Sequence, residues 1–194
     1  MDAVDFFLLR YETLHRTLLG DLLKPLTEAQ VRGRPQAGVN TIAWLIWHTA
    51  RIEDVGVNRF VVDGTQVLDS GWLARLGVER RDVGTGMTDA EVDALSRAID
   101  LTALRGYWDA VTERTAAVIS TLRGTDIDTV ADPDHVRKVC VGEGIVAPGA
   151  EWLTEFWAKS RRRSWLLVQM ALLHPYAHYY EARVAAGLWG QRSP

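Results

Sequence analysis

The sequence SWLLVQMALLHPYAHYYEARVAA, residues 164–186, decides the fold class of this chain. Residues 164–180 contain no Asp, Glu, Lys or Arg, and this run approaches the length of about 20 apolar residues that a membrane-spanning helix requires. It also contains His174, Pro175 and His178, which are not typical of a membrane span. We therefore predict a buried helix of a helical bundle and no membrane partner.

Three further segments repeat apolar residues at the spacing of a helix. The first ends at Pro25, and the second starts after a candidate N-cap, Asn40, and stops before Gly64. The third stops at Gly124. The predicted long helices cover residues 4–22, 42–60, 104–122 and 164–186. Four amphipathic helices with long connections are typical of a four-helix bundle.

Shorter elements are predicted in the connections. Thr88 and Glu91 have the spacing of a capping box, which predicts a short helix through Ala98, and another is expected over residues 151–159. Because Trp152, Phe156 and Trp157 need burial, we expect residues 125–159 to pack across one end of the bundle. Residues 125–148 contain glycines and prolines and are expected to be an irregular crossover, with a short hairpin as an alternative. Because no composition break suggests a second domain, we predict one all-α domain over residues 1–194.

Composition excludes several function classes. The net charge of -3 arises from mixed charges rather than a basic face, so nucleic acid is not an expected partner. Cys140 is the single cysteine, which excludes a disulfide framework and a cysteine-based zinc site. The first residues are acidic and lack the features of a secretory signal. We therefore expect a cytoplasmic protein.

Three histidines have the pattern of a metal site. His174 and His178 are one helical turn apart and share a helix face, and His48 lies in another predicted helix among apolar residues. Three imidazoles with one open position are typical of a catalytic zinc-type site. The alternative is that they are hydrogen-bonded core residues. Pro175 either re-aims His174 or begins a new helical segment, which would weaken the spacing argument.

Glu181 follows His178 by three residues and has three possible roles: a hydrogen-bond partner of a ligand, a fourth ligand or a surface charge. His15 and His135 have no partner at ligand spacing and are expected to be structural or exposed. Cys140 is a poorly supported nucleophile because His135 is the only candidate base near it in the sequence. The Gly84–Gly86 and Gly142–Gly144 pairs lack the context of a phosphate-binding loop.

Two segments carry a family resemblance. Residues 40–54, NTIAWLIWHTARIED, resemble the second-helix signature of the DinB-like superfamily, and residues 174–181, HPYAHYYE, resemble its final-helix counterpart. The resemblance implies a four-helix bundle, often homodimeric, with a divalent metal held by His48, His174 and His178. Relatives include thiol S-transferases and maleylpyruvate isomerases that use mycothiol or bacillithiol, and a domain of sulfoxide synthases in ergothioneine biosynthesis.

These observations predict a divalent-metal-dependent enzyme acting on a small molecule. The leading hypothesis is a mycothiol-type S-transferase or isomerase whose metal, zinc or nickel, favours the thiolate of a low-molecular-weight thiol. One alternative is a metal-dependent hydrolase with Glu181 or Glu53 as base. The other is a non-enzymatic, stress-associated bundle protein, in which the metal is structural or absent.

Overall fold

The computed structural model describes residues 2–190, and the regular elements within them are helical. One isolated antiparallel bridge joins Val130 to Arg162. The helices are α1 (Ala3–Glu12), π1 (Thr13–Leu18), α2 (Leu19–Leu23), α3 (Glu28–Arg32), α4 (Ile42–Val55), π2 (Gly56–Val61), α5 (Ser70–Leu76), α6 (Asp89–Ala98), α7 (Leu101–Thr121), α8 (Pro133–Gly142), α9 (Trp152–Trp157), α10 (Arg163–Val168), π3 (Gln169–Leu173) and α11 (His174–Gly190). The all-α prediction is confirmed.

Four long helical rods form the bundle, as predicted. The rods are α1–π1–α2, α4–π2, α7 and α10–π3–α11. Helix α4 packs against both α7 and α11, and each of its residues from Ile42 to Val55 is buried. Because α4 is enclosed on all sides, its polar side chains must find partners inside the protein.

A buried ion pair anchors the connection that follows the second rod. Arg51 and Asp54 lie 3.2 Å apart without solvent exposure, and the Tyr107 hydroxyl donates to Asp54 at 2.7 Å. Asp54 also accepts from the backbone amide of Val67 at 2.7 Å, and Arg51 donates to the Arg81 carbonyl at 2.7 Å. These bonds offset the desolvation of the two charges and fix the connection against α4 and α7.

Pro175 lies in the first turn of α11, directly after the π-helical turn π3. The preceding turn is π-helical, with the His174 amide donating to the Gln169 carbonyl, and a π-bulge of this kind is a common local adjustment beside a proline in a continuous helix. The backbone stays helical from α10 through π3 into α11, so Pro175 does not begin a separate segment, and α11 includes both His174 and His178. The spacing argument for the histidine pair is retained.

The expectation for residues 125–148 is wrong in one respect, because most of α8 lies there. The Asp132 side chain accepts from the Asp134 amide at 3.0 Å, and Pro133 occupies the first turn of the helix. The Asp-Pro-Asp sequence is thus a helix start rather than a loop. Its buried residues Val136 and Val139 pack in one core cluster with residues of π2 and α9.

Helices α8 and α9 cover one end of the bundle near π2. The Trp157 ring packs on the Phe60 ring with centroids 5.5 Å apart, and Trp157 is buried as expected. Trp152, which we also expected to be buried, is 60% exposed. Within residues 2–190, no helix combines the length and apolar character needed to cross a bilayer.

Candidate metal centre

The three predicted histidines converge between α4 and α11. The Nε2 atom of His174 lies 3.2 Å from Nε2 of His48 and 3.1 Å from Nε2 of His178. One ring nitrogen from each residue lies within 4.8 Å of the other two. Nitrogen ligands of a tetrahedral zinc ion are separated by about 3.3 Å, so the spacing is that of a ligand set.

The tautomer of His48 follows from its partner. Its Nδ1 atom donates a hydrogen bond to the Val83 carbonyl, which can only accept. Burial, and next the neighbouring His178, lower the pKa of His48 to about 3. The ring is therefore neutral near pH 7, and its Nε2 atom presents a lone pair to the other two histidines.

His178 is oriented by a pair of polar side chains. Its Nδ1 atom lies 2.7 Å from Oε2 of Glu181, and the Asn40 amide donates to Oε1 of the same carboxylate at 2.8 Å. Burial opposes ionisation of Glu181, but the hydrogen bonds from His178 and Asn40 lower its pKa overall. A carboxylate at Nδ1 leaves Nε2 of a neutral His178 as a lone pair.

The prediction that Asn40 caps α4 is wrong. The cap is Thr41, whose hydroxyl accepts from the Trp44 amide at 3.2 Å. Both residues are good N-caps, and Asn40 is instead used to hold Glu181. Of the three roles considered for Glu181, the geometry supports that of hydrogen-bond partner to His178.

His174 makes the cluster chemically incomplete without a cation. Burial, followed by the proximity of His48 and His178, holds its pKa well below the usual value. Its Nδ1 atom is buried and has no hydrogen-bond partner among the described residues. A single proton on Nε2 cannot be donated along both contacts, and a proton on Nδ1 would leave three lone pairs facing one another. The donor set therefore fits a divalent cation.

The loop that supplies the Val83 carbonyl is held close to α4 by a glycine. Gly84 has a φ of +80°, and a Cβ atom built on it would lie 2.5 Å from the Trp47 ring. Its amide donates to Asp82 at 2.7 Å, and the Val83 amide donates to Ile145 at 3.0 Å. Sequence reasoning missed Val83, although Gly84 next to it was a usable signal for close backbone approach.

Trp44 restricts the imidazole rings. Its ring stacks on that of His48 with centroids 4.5 Å apart and an interplanar angle of 7°. It also meets the His178 ring edge-on at 6.3 Å. Since stacked rings cannot rotate freely, these contacts keep the Nε2 atoms pointed toward a common centre.

A cavity of about 410 Å³ opens beside His48 and His174. Its other lining residues are Ile52, Thr85, Trp152, Leu153, Phe156, Trp157, Gln169 and Met170. The volume falls within the usual range of small-molecule sites. A substrate bound there would lie next to two of the three histidines.

Comparisons with known proteins identify the family and the fold. A family model described as the DinB superfamily matches residues 13–179. The chain belongs to the DinB superfamily. Its fold is similar to that of the solved structure of a conserved protein from Enterococcus faecalis, with a TM-score of 0.71 and 15% identity over 99% of each chain. No curated protein matches the sequence.

The DinB-superfamily fold places Glu53 in a different buried cluster. The Tyr11 hydroxyl donates to Oε1 of Glu53, and His15 Nε2 lies 3.3 Å from Oε2. Burial raises the pKa of Glu53 to about 8 and lowers that of His15 to about 3, so both are neutral near pH 7. Glu53 does not line the cavity beside the histidines. His15 is structural, as expected.

Cys140 and His135 take no part in the centre. Cys140 is buried, and burial raises the pKa of its thiol to about 11. The His135 Nε2 atom lies 2.9 Å from the Arg59 carbonyl and donates to it. The thiol is therefore both protonated at neutral pH and shielded from solvent, which makes it a poor nucleophile.

A larger cavity of about 610 Å³ lies elsewhere, beside π2 and the loop after it. Neither His48 nor His174 lines it. Its charges are largely committed to internal bonds, since Arg59 donates to Glu143 at 2.8 Å and Arg51 is held by Asp54. We assign the centre of the chemistry to the smaller cavity.

Proposed function

We propose that this protein is a divalent-metal-dependent enzyme in which Nε2 of His48, His174 and His178 hold one metal ion, zinc or nickel. The observation that carries the proposal is the convergence of the three Nε2 atoms while Nδ1 of His48 and His178 is engaged elsewhere. When bound, a cation with three imidazole ligands and an open position lowers the pKa of a thiol or water there.

Within this class, we propose a low-molecular-weight thiol such as mycothiol as cosubstrate, in S-transfer or isomerisation. The cavity supports this choice over hydrolysis because none of its lining residues is a carboxylate that could act as base. Glu181 is committed to His178 and Asn40. The cavity also argues against the non-enzymatic alternative, since tryptophans border it without filling it.

The chain's own groups would bind and orient the reactants. His48 and His174 border the cavity, and the polar atoms of Thr85 and Gln169 are available there to hydrogen-bond a ligand. Buried apolar walls, including Ile52, exclude water from the reacting atoms. A cytoplasmic location, where such thiols are kept reduced, remains our prediction.

The test is a screen of the protein, purified without a histidine tag, for conjugation of thiols to an electrophile such as monochlorobimane. We expect metal-dependent turnover with mycothiol or a related thiol, loss on chelation and recovery when zinc or nickel is restored. Absence of a metal-dependent rate across thiols would contradict the transferase proposal. The metal site would then be judged by elemental analysis alone.

We propose that residues 1–194 form a single domain. Supporting this, α4 contributes Ile52 and Val55 to one core cluster and Ile42 and Leu45 to the other. Two cores that share a fully buried helix should unfold together. Calorimetry should therefore record one cooperative transition, whereas two resolved transitions would contradict the proposal.

We also propose that the protein forms a homodimer. Support comes from exposed apolar side chains on neighbouring helices, Phe6 and Leu9 on α1 and Val184 on α11. The Tyr176 hydroxyl donates to the Arg10 carbonyl at 3.3 Å and holds the two helices side by side. Light scattering coupled to size-exclusion chromatography should give twice the chain mass, and a monomer mass at all concentrations would refute this.

A further inference from the structure

The cavity beside His48 and His174 is shaped by aromatic rings at one side. Trp152, Phe156 and Trp157 come from α9 and its start, and Trp157 is buried. The Trp152 and Phe156 rings meet edge-on with centroids 6.4 Å apart. The rings therefore form a wall with a fixed orientation rather than a loose collection of side chains.

Trp152 is the unusual member of this wall. Its side chain is 60% exposed although it borders the cavity, while the floor residues Ile52 and Met170 are 5% and 1% exposed. A large exposed indole next to a concave apolar surface gains free energy when a flat ligand covers it. Trp152 lies on α9, which covers one end of the bundle. The buried residues Leu153 and Trp157 of α9 already make that packing, so Trp152 is not needed for it.

Charge is absent from the lining. None of the ten lining residues is an Asp, Glu, Lys or Arg. The polar groups available are Thr85 and Gln169. Away from the histidines, an ionised ligand group would lose its hydration without gaining a counter-charge from the lining side chains, so the portion of the ligand that lies against the aromatic wall should be neutral.

We propose that this cavity binds a neutral, planar aromatic group of the substrate, with the Trp152 ring as one face of the binding site. The inference deepens the proposed function and rests on it for the reacting atoms, since the bound ring would carry its reactive group beside Nε2 of His48 and His174. The cavity of about 410 Å³ accommodates a bicyclic ring system.

Calorimetric titration with β-naphthol tests the proposal, with β-naphthalenesulfonate as a charged probe of the same ring system. The protein is titrated as purified and after chelation. We expect saturable binding of one β-naphthol per chain and, in the chelated protein, markedly weaker binding of the sulfonate. Because the site is apolar, chelation should leave the β-naphthol affinity within about threefold.

Two variants of Trp152 and one control variant test whether β-naphthol binds in the cavity. Trp152→Ala should weaken β-naphthol binding about tenfold, the scale expected for losing an aromatic contact and buried area, and Trp152→Phe should recover most of it. Val141→Ala serves as the control because Val141 is 80% exposed, lies on α8 and does not line the cavity. Its affinity should equal that of the unmodified protein.

Three outcomes would overturn the inference: no saturable binding, equal affinity of the chelated protein for both probes, or β-naphthol affinity unchanged by Trp152→Ala in a protein with unaltered circular dichroism. The failure of the proposed function looks different. If the chain binds no metal but the chelated and untreated samples both bind β-naphthol through Trp152, the aromatic site stands and the enzyme proposal fails. If metal is bound and β-naphthol is not, the aromatic site fails and the proposed function is not contradicted.

Discussion

Asn40 donates a hydrogen bond to Glu181, a residue 141 positions later in the chain, at 2.8 Å. The same carboxylate lies 2.7 Å from Nδ1 of His178. The start of the second rod thereby orients a candidate ligand on the fourth. Substitutions at Asn40 and Glu181 should therefore change the affinity of the site for a metal ion.

Glu181→Gln should lower metal affinity by about 10–100-fold, because the amide is a weaker acceptor for His178 Nδ1 and no longer raises the basicity of the ring. Asn40→Ala should have a smaller effect in the same direction, since the carboxylate remains. Competition with a chromogenic zinc chelator measures both. Glu113→Gln on the exposed surface of α7 is the matched control, and an equal loss in that variant would contradict the assigned role.

Gly56→Ala should destabilise the protein by about 1–3 kcal/mol through overpacking. A Cβ atom on Gly56 would lie 1.8 Å from Sδ of Met170, so π2 and π3 would have to separate. Gly20→Ala in α2 is the control because nothing lies within 4 Å of its Cβ position. That variant should be stabilised by roughly 0.5–1 kcal/mol. Urea unfolding of both variants measures these changes in the free energy of unfolding.

The buried Glu53 should make stability depend on pH. Its pKa is raised from 4.5 to about 8 by burial, so the folded state keeps the proton that the unfolded state releases. The contribution of protonated Glu53 to the free energy of unfolding is complete below pH 4.5 and is lost as pH rises toward about 8. Glu53→Gln should therefore gain stability relative to the unmodified protein across this window. Thermal unfolding at both ends of the window would detect this, and a constant difference would count against it.

Cys140→Ala should leave metal content and turnover largely intact. The thiol is buried, its pKa is about 11, and it lies outside the cavity lining. The attacking sulfur in the proposed reaction belongs to the cosubstrate. Parallel rate measurements on both proteins, with metal content determined on the same samples, provide the check. Loss of rate with metal retained would contradict this prediction and make Cys140 a candidate nucleophile.

Much of this fold is predictable because its signals are local. The apolar spacing of the four rods and the Thr88–Glu91 capping box, with its bond of 2.8 Å, depend on neighbours in sequence. The four-residue separation of His174 and His178 is local as well. His48 was found as an isolated histidine in an apolar helix, and its convergence with them follows from bundle packing.

The remaining features depend on contacts that the sequence does not specify. Either Asn40 or Thr41 could cap α4, and packing against Glu181 decides between them. Asp132-Pro133 is compatible with a turn and with a helix start, and burial of Val136 favours the helix. The Val83 carbonyl reaches His48 from a loop whose path is set by tertiary structure.

The most direct test of the central claim is the metal content of the protein purified without a histidine tag, measured by elemental analysis beside a His48→Ala variant. The three converging Nε2 atoms predict about one divalent metal ion per chain in the unmodified protein and a large loss in the variant. A metal-free protein that also fails to take up added zinc or nickel, or undiminished metal in a folded His48→Ala variant, would contradict the account.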